Sequence, residues 1–333
     1  MKENLKVLII FSVCIVMAFF LGSYTYLETK VKIHEDRDKN LEEEKSDILK
    51  KDEKKEVKEK KETIDTLEKA YEKSSRINFV LMGMEGIRSD TIIFISFDPK
   101  LKKVDMISIP RDTYIYRKGY EEAEQRKINA VYASHGASGV KKVVSHILEG
   151  VPVHHYIMID YKGVEKIVDS VGGVEVTVPF HMKYKDPTAK PPLYIDIPEG
   201  KQLLNGKKSV EFLRYRKDNV GKNRYSDGDL GRVKAQQEFL KSFIDEALSI
   251  KMPLVIKTSF DYIKTDVSLA EALNYGKSAL AMGSEDFNFT TLPGVGTYKK
   301  VKNKQLSYFI YDELMVKEIM ENIYGVEKKV LMK

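Results

Sequence analysis

Residues 88–113 constrain the fold of this chain most, because they hold two apolar runs separated by a very short polar segment. The runs 91–97 and 104–109 are rich in Ile, Val and Phe, which predicts two β-strands. The connection 98–102 allows only an antiparallel hairpin, since parallel strands need a crossover of about a dozen residues or more. The hairpin therefore brings the start of the first strand beside the end of the second.

Charged residues of both signs collect at that edge of the predicted sheet. Arg88 and Asp90 precede the first strand, and Arg111 and Asp112 follow the second. An earlier apolar run, 77–81, enters the same edge through residues 83–86, which adds Glu85. Arginine offers forked donors to phosphate oxygens, and carboxylates are hard oxygen ligands for Mg²⁺. We predict a site there for a phosphate and a divalent cation, Mg²⁺.

The first residues predict a membrane anchor. Residues 7–27 contain no charged side chain, and as a helix they would span roughly 31 Å, close to the thickness of the bilayer core. Lys2 and Lys6 precede the run, so we expect the amino terminus in the cytoplasm and the remainder outside the cell membrane. A cleaved signal peptide is the alternative, but the run is long for one and residues 21–23 match a cleavage site only loosely.

The charge distribution predicts further divisions. Residues 28–76 hold 15 Lys and Arg against 16 Asp and Glu, which is typical of a solvated, partly helical stalk. The net charge of +6 therefore belongs to the domain that follows, which suits anionic ligands and, outside the membrane, not nucleic acid. We expect a cytoplasmic tail at 1–6, the anchor at 7–27, the stalk at 28–76, a catalytic domain at 77–325 and a tail at 326–333.

Strand-like and helix-like runs alternate from residue 77 onward. This alternation predicts an α/β fold, a single domain with a mixed central sheet covered by helices on both faces. Further predicted strands lie at 155–160, 174–178 and 287–292, and predicted helices at 139–148, 162–170, 229–249, 269–282 and 312–323.

A second cluster of basic residues lies in the carboxyl-terminal half. In an extended segment Arg214 and Arg216 would point to one face, and on the following helix Arg232 and Gln236 would share another. Asp229 would cap that helix, whose first turn already favours an anion. Each feature alone is more often a solvated salt bridge or a structural cap, but together they suit a pyrophosphate.

In these residues the chain resembles the LytR–CpsA–Psr family of cell-wall proteins. The matching stretches follow one another in order over roughly residues 77–325, at 78–83, 88–91, 108–113, 127–130, 168–174, 204–206, 214–216 and 229–232, with Gln236. The short amino tail, single predicted span and outward domain fit the same family.

The resemblance implies a transferase. Family members move a glycopolymer, such as a teichoic acid or capsular polysaccharide, from a polyprenyl-pyrophosphate carrier to a peptidoglycan hydroxyl, leaving a phosphodiester. Transferred to this chain, the pattern gives these roles: pyrophosphate binding by Arg111, Arg214, Arg216, Arg232 and Gln236; Mg²⁺ binding by Asp90, with Glu85 where the family commonly has aspartate; and Arg88 beside the metal.

Three points stay open at the level of sequence. Asp112 or Asp90 could accept the proton of the attacking hydroxyl. A non-catalytic sensor or regulator of lipid-linked precursors is an alternative function, and a pyrophosphate hydrolase that uses water is another.

Overall fold

The computed structural model describes most of the region after the predicted stalk. The described residues are 66–189, 192–225, 235, 238–239, 241–243, 245–247, 258–268, 270–271, 275 and 282–326. The predicted anchor at 7–27 and most of the stalk lie outside them. In the described part of the chain, no helix is both long and apolar enough to cross a membrane.

Twelve strands and five α-helices have defined bounds in this part of the chain. The strands are β1 Ile77–Glu85, β2 Arg88–Asp98, β3 Lys103–Ile109, β4 His155–Ile159, β5 Val174–Val178, β6 Met182–Asp186, β7 Leu193–Ile197, β8 Gly200–Leu204, β9 Ile263–Thr265, β10 Phe287–Thr291, β11 Gly294–Val301 and β12 Lys304–Tyr311. The helices are α1 Leu67–Lys73, α2 Val131–Ile147, α3 Tyr161–Ser170, α4 Gly206–Arg214 and α5 Glu313–Tyr324.

Six strands form one mixed sheet in the order β10-β3-β2-β1-β4-β9. The predicted hairpin is confirmed, since β2 and β3 pair antiparallel with Ile92 opposite Ile109. β1 pairs antiparallel with β2 and parallel with β4, while β10 pairs parallel with β3. The remaining strands form three small antiparallel pairs, β5–β8, β6–β7 and β11–β12.

The alternation of side chains along β1 divides the core between the two faces of the sheet. Phe79 and Leu81 pack with the apolar side of α3 and α4, whereas Val80 and Met82 pack with α2 and α5. Helices therefore cover both faces, and the predicted α/β architecture with a mixed central sheet is confirmed.

Most predicted elements agree with the structure, with shifted ends. The helix predicted at 139–148 begins earlier, at Val131, and is interrupted at Gly136, whose φ of 59° favours glycine. Of the helices predicted at 229–249 and 269–282, the described residues within 235–247 and residues 270, 271 and 275 are helical. Apart from residue 282, the other residues of those two ranges lie outside the described part of the chain.

The folded domain begins upstream of residue 77, inside the segment assigned to the stalk. In α1, Ala70 is buried and the ring of Tyr71 meets that of Tyr324 edge-on, with centroids 4.7 Å apart. Arg76 is buried as well and pairs with Asp105 at 2.7 Å and Asp98 at 3.6 Å. The sequence did not predict these contacts, because a highly charged composition typical of solvated helix does not show which few side chains are buried.

The Arg76 ion pairs give a test of stability. Arg76→Met keeps the aliphatic stem but leaves two largely buried carboxylates without their cation, so we expect a loss of about 3–5 kcal/mol in the free energy of unfolding. Urea denaturation measures it. Lys201→Met is the matched control, because its pair with Glu175 is exposed and should contribute less than about 1 kcal/mol. Equal small losses in both variants would contradict a structural role for Arg76.

Candidate functional site

The candidate site lies at the edge of the sheet where β1, β3 and β4 end. β1 runs parallel to β4 and β3 runs parallel to β10, and β2 lies antiparallel between β1 and β3, so the carboxyl ends of β1, β3 and β4 meet at one edge. Ligands of open α/β sheets commonly bind at such an edge, because the loops that leave it are free to carry polar side chains. The tight turn between β1 and β2 places Glu85 opposite Arg88 at this edge.

Arg111 and Asp90 meet at the centre of the site. The Arg111 guanidinium donates a hydrogen bond of 2.9 Å from one terminal nitrogen to Oδ1 of Asp90. About half of the Arg111 side chain is exposed, against about a fifth of that of Asp90. Arg111 is therefore held in place by the carboxylate yet still accessible to an anion from solvent.

Glu85 and Asp90 form a pair of carboxyl groups. The hydrogen bond between their side chains raises the pKa of Glu85 above its ordinary value, and partial burial and the charge of Asp90 act in the same direction. The charges of Arg214 and Arg111 oppose this rise. The pair therefore favours holding a shared proton or another cation between the two groups.

Arg214 reaches the same cluster from the end of α4. It is the last residue of that helix, and Tyr215 after it turns into extended backbone, so the expectation of one extended segment for Arg214 and Arg216 is wrong for Arg214. The apolar stripe of α4, including Phe212 and Leu213, fixes the helix against the core. Its guanidinium lies over the ring of Tyr161, 4.4 Å from the centroid.

Tyr161 is a site residue that the sequence analysis missed. Burial raises its pKa, and the charges of Arg214 and Glu85 both act on its hydroxyl. The signal was present in the parallel pairing of β4 with β1, which sets Ile159 opposite Gly83 and so brings residue 161 beside residue 85. Sequence patterns predicted both strands but not that they are neighbours.

Asp112 faces away from this cluster toward a lysine. Lys127 donates a hydrogen bond of 2.8 Å to Oδ1 of Asp112 and lies over the ring of Tyr308. The backbone carbonyl of Asp112 accepts a hydrogen bond of 2.9 Å from the N–H of Phe309. These contacts fix the loop that carries Arg111, which makes Asp112 a positioning residue in this arrangement.

Arg88 is exposed and lies opposite Glu85 in the register of β1 and β2. A hydrogen bond from Lys304 lowers the pKa of Glu124, and the charge of Arg88 adds to that effect. The position of Arg88 opposite Glu85 agrees with the predicted place beside the metal carboxylates, and its role there stays a prediction.

The remaining predicted residues divide into two groups. Arg216 is exposed, two residues beyond the end of α4, at the start of a loop that Asp218 orders by accepting hydrogen bonds from the backbone of Val220, Lys222 and Asn223. Arg232 and Gln236, with the predicted cap Asp229, lie outside the described residues.

The carboxyl pair fits a magnesium ion in its chemistry. Mg²⁺ in phosphate-transfer sites is commonly held by one or two carboxylates together with substrate phosphates and water. Glu85 and Asp90 supply two such carboxylates beside Arg111, where a phosphate would meet the ion. Among the residues that the structure describes, no cluster of three or more acidic, histidine or cysteine side chains could hold a metal.

The pKa of Glu85 predicts a pH-dependent effect of Glu85→Gln on stability. Because the folded-state pKa is raised, native Glu85 loses stability as pH rises from its unfolded pKa through its folded pKa. Glutamine does not titrate, so the variant should melt at a higher temperature relative to the native protein at pH 7 than at pH 4, in metal-free buffer. Thermal melting at both pH values measures this. Glu175→Gln, at an exposed surface pair, is the control, and a difference independent of pH at Glu85 would contradict the shared proton.

Comparison with known proteins gives a consistent result. Polyisoprenyl-teichoic acid–peptidoglycan teichoic acid transferase TagV of Bacillus subtilis (strain 168) is 24% identical over 330 residues, covering 96% of this chain and 77% of TagV. Regulatory protein MsrR of Staphylococcus aureus (strain COL) is 27% identical over 237 residues, covering 68% of this chain and 67% of MsrR. The crystal structure of B. subtilis TagV aligns with a TM-score of 0.59 at 25% identity, covering 77% of this chain and 100% of the other.

The family assignment rests on the match to a family model. The pattern of the LytR_cpsA_psr family matches residues 24–324, which includes the whole candidate site. Since this match extends over most of the sequence, the chain belongs to the LytR–CpsA–Psr family.

Proposed function

We propose that this protein is a membrane-anchored transferase that moves a glycopolymer phosphate from a polyprenyl-pyrophosphate carrier to a hydroxyl of peptidoglycan. The observation that supports this proposal most directly is the cluster at the sheet edge, where Arg111 and Arg214 flank the Glu85–Asp90 carboxyl pair. The name of the relative TagV, a teichoic acid–peptidoglycan transferase, supports teichoic acid or another wall polymer as the group transferred.

The reaction joins the acceptor oxygen to the phosphorus that bears the sugar. The bond from that phosphorus to the bridging oxygen breaks, and polyprenyl phosphate leaves with the electron pair. Charge grows on the bridging and non-bridging oxygens during this step, and arginines aimed at them stabilise the transition state. Half-exposed Arg111 can reach such oxygens without losing its contact with Asp90. Arg214, held over Tyr161, offers the second cation.

The acidic residues take the other roles. Glu85 and Asp90 would hold Mg²⁺, which when bound neutralises phosphate charge. Of the two carboxylates predicted as proton acceptors, Asp112 is turned toward Lys127, whereas Asp90 lies within the cluster. We therefore assign the acceptor of the hydroxyl proton to the Glu85–Asp90 pair. The pair lies beside Arg111, where the reacting phosphate would bind.

The proposed cellular arrangement follows from the amino-terminal sequence. Residues 7–27 would cross the cell membrane once, with residues 1–6 in the cytoplasm and the catalytic domain outside. The site would then lie in the same compartment as lipid-linked donors and peptidoglycan. Arg232 and Gln236, on the proposed helix after the loop ordered by Asp218, would complete the pyrophosphate contacts with Arg216.

A regulatory function is the second candidate, because the relative MsrR carries that name. A sensor of lipid-linked precursors would use the same arginines to bind pyrophosphate but would not need the carboxyl pair. The presence of Glu85 and Asp90 beside the arginines favours catalysis.

A transfer assay tests the proposal. The full chain in vesicles is incubated with a polyprenyl-pyrophosphate-linked sugar and peptidoglycan fragments, with and without Mg²⁺, and the glycan is analysed by mass spectrometry for added sugar phosphate. We expect a Mg²⁺-dependent adduct whose rate falls about 100-fold or more in Arg111→Ala, as for the loss of a donor to developing negative charge. Asp90→Asn should show a similar fall.

The controls separate the alternatives. Lys201→Ala, on β8, should leave the rate unchanged, and melting temperatures of all variants show whether each is folded. Free sugar phosphate without an adduct would contradict transfer and indicate a hydrolase. Tight binding of the donor without turnover, equally weakened in Arg111→Ala, would favour the sensor.

A further inference from the structure

The domain joins its amino-terminal segment at the edge of the sheet opposite the site. Arg76 and α1 pack where β1 begins, and Glu85 lies where β1 ends. The 9 residues of β1 correspond to about 30 Å at ~3.3 Å per residue. The pyrophosphate of a lipid carrier lies at the bilayer surface, so attachment of the chain through α1 does not by itself bring the site to its donor.

A hairpin extends from the site edge itself. β11 and β12 form a two-stranded sheet apart from the central one. Phe309 of β12 donates its N–H to the carbonyl of Asp112 and accepts from the N–H of Tyr114 at 2.8 Å. The hairpin is therefore tied directly to the loop that carries Arg111.

Ion pairs hold one side of the hairpin against the domain. Lys302 bonds Glu122 at 2.6 Å and Lys304 bonds Glu124 at 2.8 Å. Tyr308 is buried and donates its hydroxyl to the carbonyl of Ala123 at 2.8 Å. These contacts hold the hairpin rigidly against the domain.

The exposed end of the hairpin is basic and aromatic. Residues 294–311 contain four lysines and no acidic residue, and only two of the lysines pair with glutamate. Tyr298 and Lys300 lie on the face of the hairpin opposite to that of Tyr308, and Tyr298 is 72% exposed. Lys299 lies on the same face as Tyr308 but is also exposed, and its Nζ is 3.9 Å from the centroid of the Tyr114 ring.

Exposed apolar side chains continue this surface around the site edge. Ile87, at the turn between β1 and β2, is 69% exposed, and so is Tyr116, which lies over Arg126. Glu124 pairs with Lys304 of the hairpin, and the charge of Arg88, the residue after Ile87, contributes to lowering the pKa of Glu124. The β1–β2 turn and the hairpin therefore lie near the same loop. Exposed aliphatic and tyrosine side chains among lysines suit a lipid interface, whereas a soluble polyanion would need only the charges.

We propose that the surface formed by Ile87, Tyr116, Tyr298, Lys299 and Lys300 rests on the outer face of an anionic lipid bilayer. Its lysines meet lipid phosphates, and Tyr298 and Ile87 enter the headgroup region. This contact turns the site edge toward the membrane, where the donor pyrophosphate would lie; that last consequence rests on the proposed transferase function. The lipid contact itself does not require turnover.

A single tryptophan can report this contact, because the chain contains none. The full chain carrying Tyr298→Trp is reconstituted into vesicles of phosphatidylcholine alone or mixed with phosphatidylglycerol. We expect its emission to shift to shorter wavelength, and to be quenched by acyl-brominated lipids, in the anionic vesicles. Raising the salt to 1 M, where the screening length falls to about 3 Å, should reverse the shift.

Matched variants make the result specific. Tyr194→Trp, on β7, is the control, since Tyr194 is 50% exposed and its ring also lies near a lysine, Lys185. Its emission should be the same in both kinds of vesicle. Lys299→Gln together with Lys300→Gln, in the Tyr298→Trp background, should abolish the anionic dependence.

Two outcomes would overturn the proposal. The first is a Tyr298→Trp spectrum that is identical in both vesicles and unaffected by brominated lipids. The second is an emission shift caused by soluble poly(glycerol phosphate) but not by lipid, which would assign the surface to an anionic polymer. No lipid-linked donor is present in this experiment, so its result can be interpreted even when the transfer assay fails.

Discussion

The pairing of β1 with neighbours on both sides is the constraint on which the rest of the structure depends. Residues 78–84 of β1 are buried, and β2 and β4 satisfy its backbone hydrogen bonds on either side. The tight turn into β2 and the parallel direction of β4 then bring Glu85, Asp90 and Tyr161 to one edge. A slip of one residue in the β1–β2 register would turn the side chains of one strand to the opposite face and separate the carboxyl pair.

The site holds two like charges together by means of its surroundings. The hydrogen bond with Asp90 raises the pKa of Glu85 most, and burial and the charge of Asp90 add to the rise, so the pair has an affinity for a proton. Arg111 and Arg214 reduce the rise without removing it. A fold that retains such a pair at its surface, beside two arginines, is suited to a ligand that brings its own cation and its own negative oxygens.

Local signals predicted the parts of the fold that depend on nearby residues. The length of the connection 98–102 was sufficient to predict the β2–β3 hairpin, and with it the meeting of Asp90 and Arg111. The parallel neighbour of β1 could not be predicted in this way, because residues 83 and 159 are distant in sequence and nothing local records their pairing. Tyr161 was missed for that reason. Arg214 was placed in an extended segment because the end of α4 has no glycine or proline to mark it.

The contrast between Arg76 and the β11–β12 hairpin shows how the two ends of the sheet differ. At the amino-terminal edge, Arg76 is enclosed by two acidic residues and Tyr324, so its charge is neutralised inside the protein. At the site edge, the lysines of the hairpin outnumber their acidic partners and the excess charge remains at the surface. Electrostatic attraction to an anionic surface therefore acts on the site end of the domain. With the proposed membrane anchor and transferase function, the domain would lie along the membrane, with its candidate site beside the lipid phosphates.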